Sequence, residues 1–360
     1  MHAMAREFGR LAAGAALALS VNACEGGGSD TPNVVAPEVL PNTFTVTRLT
    51  GDDASQQAAH IDTNLVNPWG ISFDPSGVLW SANNSTGTST LHTATGSAQP
   101  LVVRIPSDLT LTGGSPTGIV GNLTSDFRIL ESGPASFVFV SEDGLITAWN
   151  EDAGTTAIRV ASRVPNRALY TAATLASNRG ENYLYATDFR NNAIDVFDAR
   201  FTYVWSFTDR SAAEGFAPYG IQNIGGKLFV AFALRNTAGN AVVPGVGNGI
   251  VVVFNPDGTI SRRFAETGRL NAPWAVVVAP PEFGPFAGKI LIGNHGDGTI
   301  GAYHPETGVF VDVLRDGANN PIRIDGLRGL TFGPGVGSTT LFFSAGPARE
   351  THGLLGSITP

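Results

Sequence analysis

The sequence predicts an all-β fold, a six-bladed β-propeller. Three observations carry that prediction. Glycine and proline supply 44 and 22 of the 360 residues while only 14% are charged and 42% are hydrophobic, a turn-rich composition with ample core that suits many short strands. A motif of the type Pro-aromatic-Gly-aliphatic recurs at Pro68-Trp69-Gly70-Ile71 and Pro218-Tyr219-Gly220-Ile221, with variants at Pro116-Thr117-Gly118-Ile119, Pro273-Trp274-Ala275-Val276 and Leu327-Arg328-Gly329-Leu330 and a weaker copy at Tyr170-Thr171-Ala172-Ala173. Its small residues, at 70, 118, 172, 220, 275 and 329, lie 48, 54, 48, 55 and 54 positions apart, which is a blade period. Two packed β-sandwiches are the competing architecture, but they require no uniform spacing. Heptads, a three-residue glycine period and the charge density of a disordered chain are all missing. A net charge of -8 argues against a nucleic-acid partner, whose phosphates call for a basic face.

In chain order, residues 1–23 read as a signal peptide: Arg6 and Arg10 precede an apolar run, 11–21, that is too short to span a bilayer. Val21-Asn22-Ala23-Cys24 then resembles a lipobox, which makes Cys24 the expected lipidation site, with simple secretion as the alternative. Cys24 is the sole cysteine, so no intrachain disulfide forms, and acylation would remove an exposed thiol. Residues 24–42 are Gly- and Pro-containing sequence without periodicity and read as a tether. Residues 43–360 form a single propeller domain. The expected location is a bacterial cell envelope, with the membrane met only through the lipid, and the protein is expected to be a monomer.

Within each period an apolar second strand follows the motif, at 78–82, 137–141, 183–187, 227–231, 289–293 and 340–344, rich in β-branched and aromatic residues. Third strands are expected at 145–150, 193–197, 250–254 and 299–303, and turns such as Asn255-Pro256-Asp257-Gly258 lead to outer strands. The sixth copy ends after its third strand, 354–358. An orphan strand, 44–49, precedes the first copy and is expected to close the ring as the outer strand of the last blade.

Two columns of residues are expected on one rim of the channel. The residues following the second strands read Asn83, Glu142, Asp188, Phe232, Asn294 and Ala345. Asn83, Glu142, Asp188 and Asn294 offer the oxygens that Ca²⁺ or another divalent cation takes, or they simply cap strand ends. His295, next to Asn294, is the candidate general base, with His352 in a neighbouring blade. The second column includes Trp69, Tyr219, Trp274 and Arg328, suited to stacking a ligand and holding an anion, or to packing between blades. No zinc, phosphate-loop or nucleophile-elbow motif is present. An unassigned small molecule, glycan or protein is therefore the expected partner on this rim.

Asn64-Leu65-Val66-Asn67-Pro68-Trp69-Gly70-Ile71, Gly114-Ser115-Pro116-Thr117-Gly118-Ile119-Val120, Ile221-Gln222-Asn223-Ile224-Gly225-Gly226-Lys227-Leu228, Gly247-Asn248-Gly249 and Ile324-Asp325-Gly326-Leu327 together resemble an uncharacterised family of exported bacterial propellers. Many of its members carry a C-terminal PEP-type sorting tail. This chain shows a lipobox-like start instead. The resemblance covers about residues 43 to 358 and implies a six-bladed propeller akin to the NHL and gluconolactonase-like groups. It implies no established activity, and it places Phe in many members where this chain has His295. By analogy with the lactonase-like group, the alternative to a binding protein is a metal-dependent hydrolase or lyase.

Overall fold

The computed structural model describes residues 40–129, 132–334 and 338–360. The signal peptide, Cys24 and most of the tether lie outside the described residues. Six antiparallel sheets follow one another along the chain. Their inner strands are Pro68–Phe73, Pro116–Gly121, Tyr170–Asn178, Phe216–Ile224, Pro273–Val278 and Leu327–Phe332. The second strands are Leu79–Asn83, Phe137–Ser141, Glu181–Asp188, Lys227–Leu234, Ile290–Asn294 and Leu341–Ala345. This is the six-bladed, all-β propeller expected from the period.

The ring closes as the orphan strand foretold. Thr45–Gly51 pairs antiparallel with Leu354–Thr359, from Thr45 opposite Thr359 to Gly51 opposite Leu354. His60–Ile61 adds a short parallel strand outside it. Phe44 secures this end by packing on Phe283 and Phe286, at ring-centroid distances of 5.0 and 5.8 Å. Among the described residues, no helix is long and apolar enough to cross a membrane.

Second strands are buried along their whole length in four of the blades, Phe137–Ser141 among them, because each sheet has a neighbouring sheet on both faces. Their apolar, β-branched character follows from that double burial. Inner strands crowd the axis, which explains the small residue in each motif. A Cβ on Gly118 would lie 2.8 Å from the Ala173 amide nitrogen, and one on Gly220 would overlap the Trp274 carbonyl.

Candidate active site

Each inner strand begins with a β-bulge, and the bulge builds the site. Pro218 pairs with Phe232 and Gly220 with Ala231, leaving Tyr219 as the extra residue. Thr117 and Trp274 are extra in the same way. In the other three blades the skip spans Trp69, Thr171 and Arg328. A bulge re-aims a side chain out of the alternating pattern, and here it turns one residue per blade toward the axis.

The opposing column differs from expectation by one residue. Pro68, Tyr170 and Pro273 pair with Asn83, Asp188 and Asn294, so these three lie within their strands, whereas Pro116 pairs with Ser141 and Glu142 lies one position beyond. One position beyond the partner of each motif's first residue stand Asn84, Glu142, Phe189, Ala233, His295 and Gly346. Glu142, expected in the column of Asn294, instead shares its column with His295, the residue after Asn294.

The three remaining members of the expected oxygen ring are taken up inside their own blades. Asn83 is hydrogen-bonded with Ser81, Thr88 and Thr90. Asp188 accepts from the Leu169 amide and twice from Asn191. Asn294 accepts from the Asn271 amide and donates to the Arg269 carbonyl and Thr299. They cap strand ends, and their described contacts do not bring them together with Glu142. His352 Nδ1 lies 3.0 Å from Asp52 Oδ2 and 3.6 Å from Asp53 Oδ2, fastening its loop to the N-terminal strand.

What converges at the mouth is a polar chain wrapped around Arg328. Its guanidinium donates through Nη1 to Tyr219 Oη and through Nη2 to Glu350 Oε1, and its Cζ lies 3.7 Å over the Trp69 ring. Asn67 Nδ2 donates to Glu350 Oε2 at 3.4 Å and to Asn84 Oδ1 at 3.3 Å, and Asn84 Nδ2 donates to Glu142 Oε2 at 3.0 Å. His295 completes the ring of groups: Nδ1 is 3.2 Å from the Leu327 carbonyl, and Nε2 is 3.7 Å from Glu350 Oε1. With the Nδ1 proton donated to that carbonyl, Nε2 carries the free lone pair. Trp69 meets Tyr219 and Trp274 edge-on at 6.1 and 6.4 Å, so the aromatics plug the channel rather than wedging between blades. Trp274 also donates to the Thr171 carbonyl.

Glu350 has no counterpart in the repeat, and its placement is strained. Ala348, Arg349 and Glu350 hold φ of 53°, 59° and 67° in succession, a left-handed turn that costs a non-glycine residue about 1–2 kcal/mol at each position. Asp325 Oδ2 anchors the turn by accepting from the Ala348 amide, and Thr351 Oγ1 donates to the Ala348 carbonyl. Two of the sequence motifs thus acquire a purpose. Asn67 and Trp69 come from the first, and Asp325 from the last.

Above the plug lies a cavity of about 130 Å³, lined among others by Trp69, Glu142, Phe189, Tyr219, Arg328 and Glu350. That is room for roughly four waters at ~30 Å³ each, or for one small molecule. Burial pushes the Glu142 carboxyl above its ordinary 4.5; Asn84 and Arg328 oppose this, and the charges of Glu350 and Asp143 add to it. Burial, reinforced by the Arg328 charge, holds His295 well below its ordinary 6.5. The mouth therefore places a carboxyl whose pKa is raised and an imidazole whose pKa is lowered around one fixed cation. Oppositely displaced titrations of this kind separate an acid from a base.

No family model matches the chain. Two uncharacterised proteins of Acanthamoeba polyphaga mimivirus do, one 33% identical over 320 residues, covering 84% of this chain and 77% of its own length, the other 32% identical over 318 residues, covering 84% and 82%. The chain belongs to their family. These matching relatives are viral, and they lend no support to the bacterial family that the motifs resemble. Among solved structures, a catalytically inactive His-to-Ala variant of virginiamycin B lyase from Staphylococcus aureus with quinupristin is similar at TM-score 0.53 and 14% identity, covering 88% of this chain and 99% of that one. An α-L-arabinofuranosidase variant from Fusarium graminearum, in complex with an iminosugar inhibitor, is similar at TM-score 0.57 and 13% identity, covering 89% and 98%. At these identities the likeness is one of fold, and it agrees with the six-bladed ring.

Proposed function

We propose that the protein is a small-molecule enzyme of the hydrolase or lyase class, working at this channel mouth with Glu142 as general acid and His295 as general base. The observation that carries the reading is their shared column: both follow the last paired residue of a second strand, and both face the Arg328–Glu350 pair. A protonated carboxyl can deliver a proton to a leaving oxygen, and a neutral imidazole can remove one from water or from carbon. Arg328, held by Glu350, Tyr219 and Trp69, keeps a fixed positive charge where negative charge would develop. The lyase and arabinofuranosidase chemistry of two of the structural neighbours is compatible with the same use of the mouth. The signal peptide read in residues 1–23 would deliver this activity to a cell envelope.

Binding without turnover is the second reading, favoured by the aromatic lining of a small cavity. A panel of lactones and p-nitrophenyl esters, assayed with EDTA present, separates the two. Turnover that falls at least about a hundredfold in Glu142→Gln and His295→Ala, at unchanged melting temperature, supports acid–base catalysis. Absence of turnover on the whole panel, with and without added Ca²⁺, Mn²⁺ or Zn²⁺, leaves the binding reading. Rates restored only by a metal would favour a metal-assisted reaction over unaided acid–base catalysis.

A further inference from the structure

We propose that the channel mouth receives a carbonyl oxygen between two buried donors, Arg328 Nε–H and Trp69 Nε1–H, which makes small esters and lactones its substrate class. Both nitrogens are buried and have no hydrogen-bond partner among the described residues. Both side chains line the same cavity and are 2% and 4% exposed. Arg328 uses its other two nitrogens on Tyr219 and Glu350, so Nε is the one left over. Stacking of the guanidinium on the indole, 3.7 Å from Cζ to the ring, holds the two donor-bearing groups in contact. A buried donor left unpaired is destabilising, and more so on a charged group. Carried on stacked side chains that line one cavity, the two are open to a shared acceptor.

Charge selects which acceptor. The Arg328 cation is already matched by Glu350, and Glu142 brings a second carboxyl to the same cavity. A substrate carboxylate would add a negative charge beside Glu350 where the one cation is already neutralised. A neutral carbonyl oxygen accepts from both donors without that repulsion, and gains most as it becomes an oxyanion. The reaction rests on the acid–base reading above; the binding does not. In hydrolysis, His295 Nε2 takes a proton from water as the water oxygen bonds to the carbonyl carbon, and the carbonyl π pair moves onto the oxygen facing Arg328 and Trp69. Collapse reforms the carbonyl and breaks the acyl C–O bond, while Glu142 protonates the departing alkoxide. His295 then returns its proton, by way of solvent, to Glu142.

The test uses ¹⁵N-labelled Glu142→Gln protein, so that substrate persists, with δ-valerolactone and tetrahydropyran as probes, which differ by the carbonyl. The Trp69 indole N–H cross-peak is expected to move with δ-valerolactone and to stay still with tetrahydropyran. The lactone is expected to bind about tenfold or more tightly than the ether, roughly what two hydrogen bonds confer, and Trp69→Phe is expected to cut the preference to about threefold, the share of the one donor that remains. Should that variant not fold, the peak is assigned by elimination with Trp80→Phe, Trp149→Phe, Trp205→Phe and Trp274→Phe. An indole peak indifferent to the lactone, equal binding of the two probes, or binding of neither overturns the cradle. Carbonyl-dependent binding without wild-type turnover would keep the cradle and remove the acid–base reading, and turnover dependent on Glu142 with an unmoved indole would do the reverse.

Discussion

Replacing Glu350 by Gln removes the ionised partner of Arg328 while keeping the side chain's shape. Breaking a buried ion pair on one side costs about 3–5 kcal/mol. Arg328 is 2% exposed at its side chain but Glu350 is 38% exposed, so water screens the pair and the amide still accepts a hydrogen bond. A loss of about 1–3 kcal/mol is the discounted figure. For a ring of this size each kcal/mol moves the melting temperature by about 2 °C, so calorimetry should register a fall of roughly 2–6 °C. The same change acts on Glu142, because the Glu350 charge raises that carboxyl and the Arg328 charge lowers it. Removing the first and leaving the second unneutralised drives the Glu142 pKa down, which a carboxyl-labelled NMR titration follows directly. An unchanged melting temperature together with an unmoved Glu142 titration would refute the coupling of these three groups.

Other consequences can be measured on the same protein. Because folding raises the Glu142 pKa, the native state binds more protons than the unfolded chain above pH 4.5, and wild-type stability should fall as pH rises from there through the folded pKa; in Glu142→Gln, urea melts across that window should show this decline removed. His295 has the opposite sign, since the unfolded chain binds its proton first below pH 6.5, so stability should fall as pH drops from 6.5 through the folded pKa, and His295→Ala should flatten that limb. Gly220→Ala should lose about 3 kcal/mol in urea denaturation, the upper range for overpacking, because its Cβ overlaps the Trp274 carbonyl; a loss under about 0.5 kcal/mol would show that the inner strands are not in close contact there. A chain starting at residue 53 should expose the Leu354–Thr359 edge and either melt earlier or associate on size exclusion, and a monomer with an unchanged melt would contradict closure by Thr45–Gly51.

The ring was legible in the sequence because propeller blades repeat, and each blade needs a small residue where inner strands meet. Closure was legible because a sixth copy with three strands and an unpaired Phe44–Leu49 segment ask for each other. The aromatic and Arg column was legible for the same reason as the period. The other column was not. Nothing in Val140-Ser141-Glu142 distinguishes the last paired residue from the first free one, and a slip of one residue exchanges the faces of a strand. That slip grouped Glu142 with Asn83, Asp188 and Asn294, which cap their own blades, and separated it from His295. Glu350 was hidden for another reason: it sits in a left-handed turn without a repeat counterpart, and only the tertiary fold brings Asp325 to hold that turn.

The central claim is that a protonated Glu142 and a neutral His295 act together at the channel mouth. It is met most directly by kcat/KM against pH on a lactone or ester substrate, for the wild type and Glu142→Gln. The wild-type rate is expected to fall on the alkaline side as Glu142 ionises and on the acid side as His295 gains its proton, while the variant loses the alkaline limb and nearly all of the rate. A variant that turns over as fast as the wild type, with the same two limbs, would contradict it.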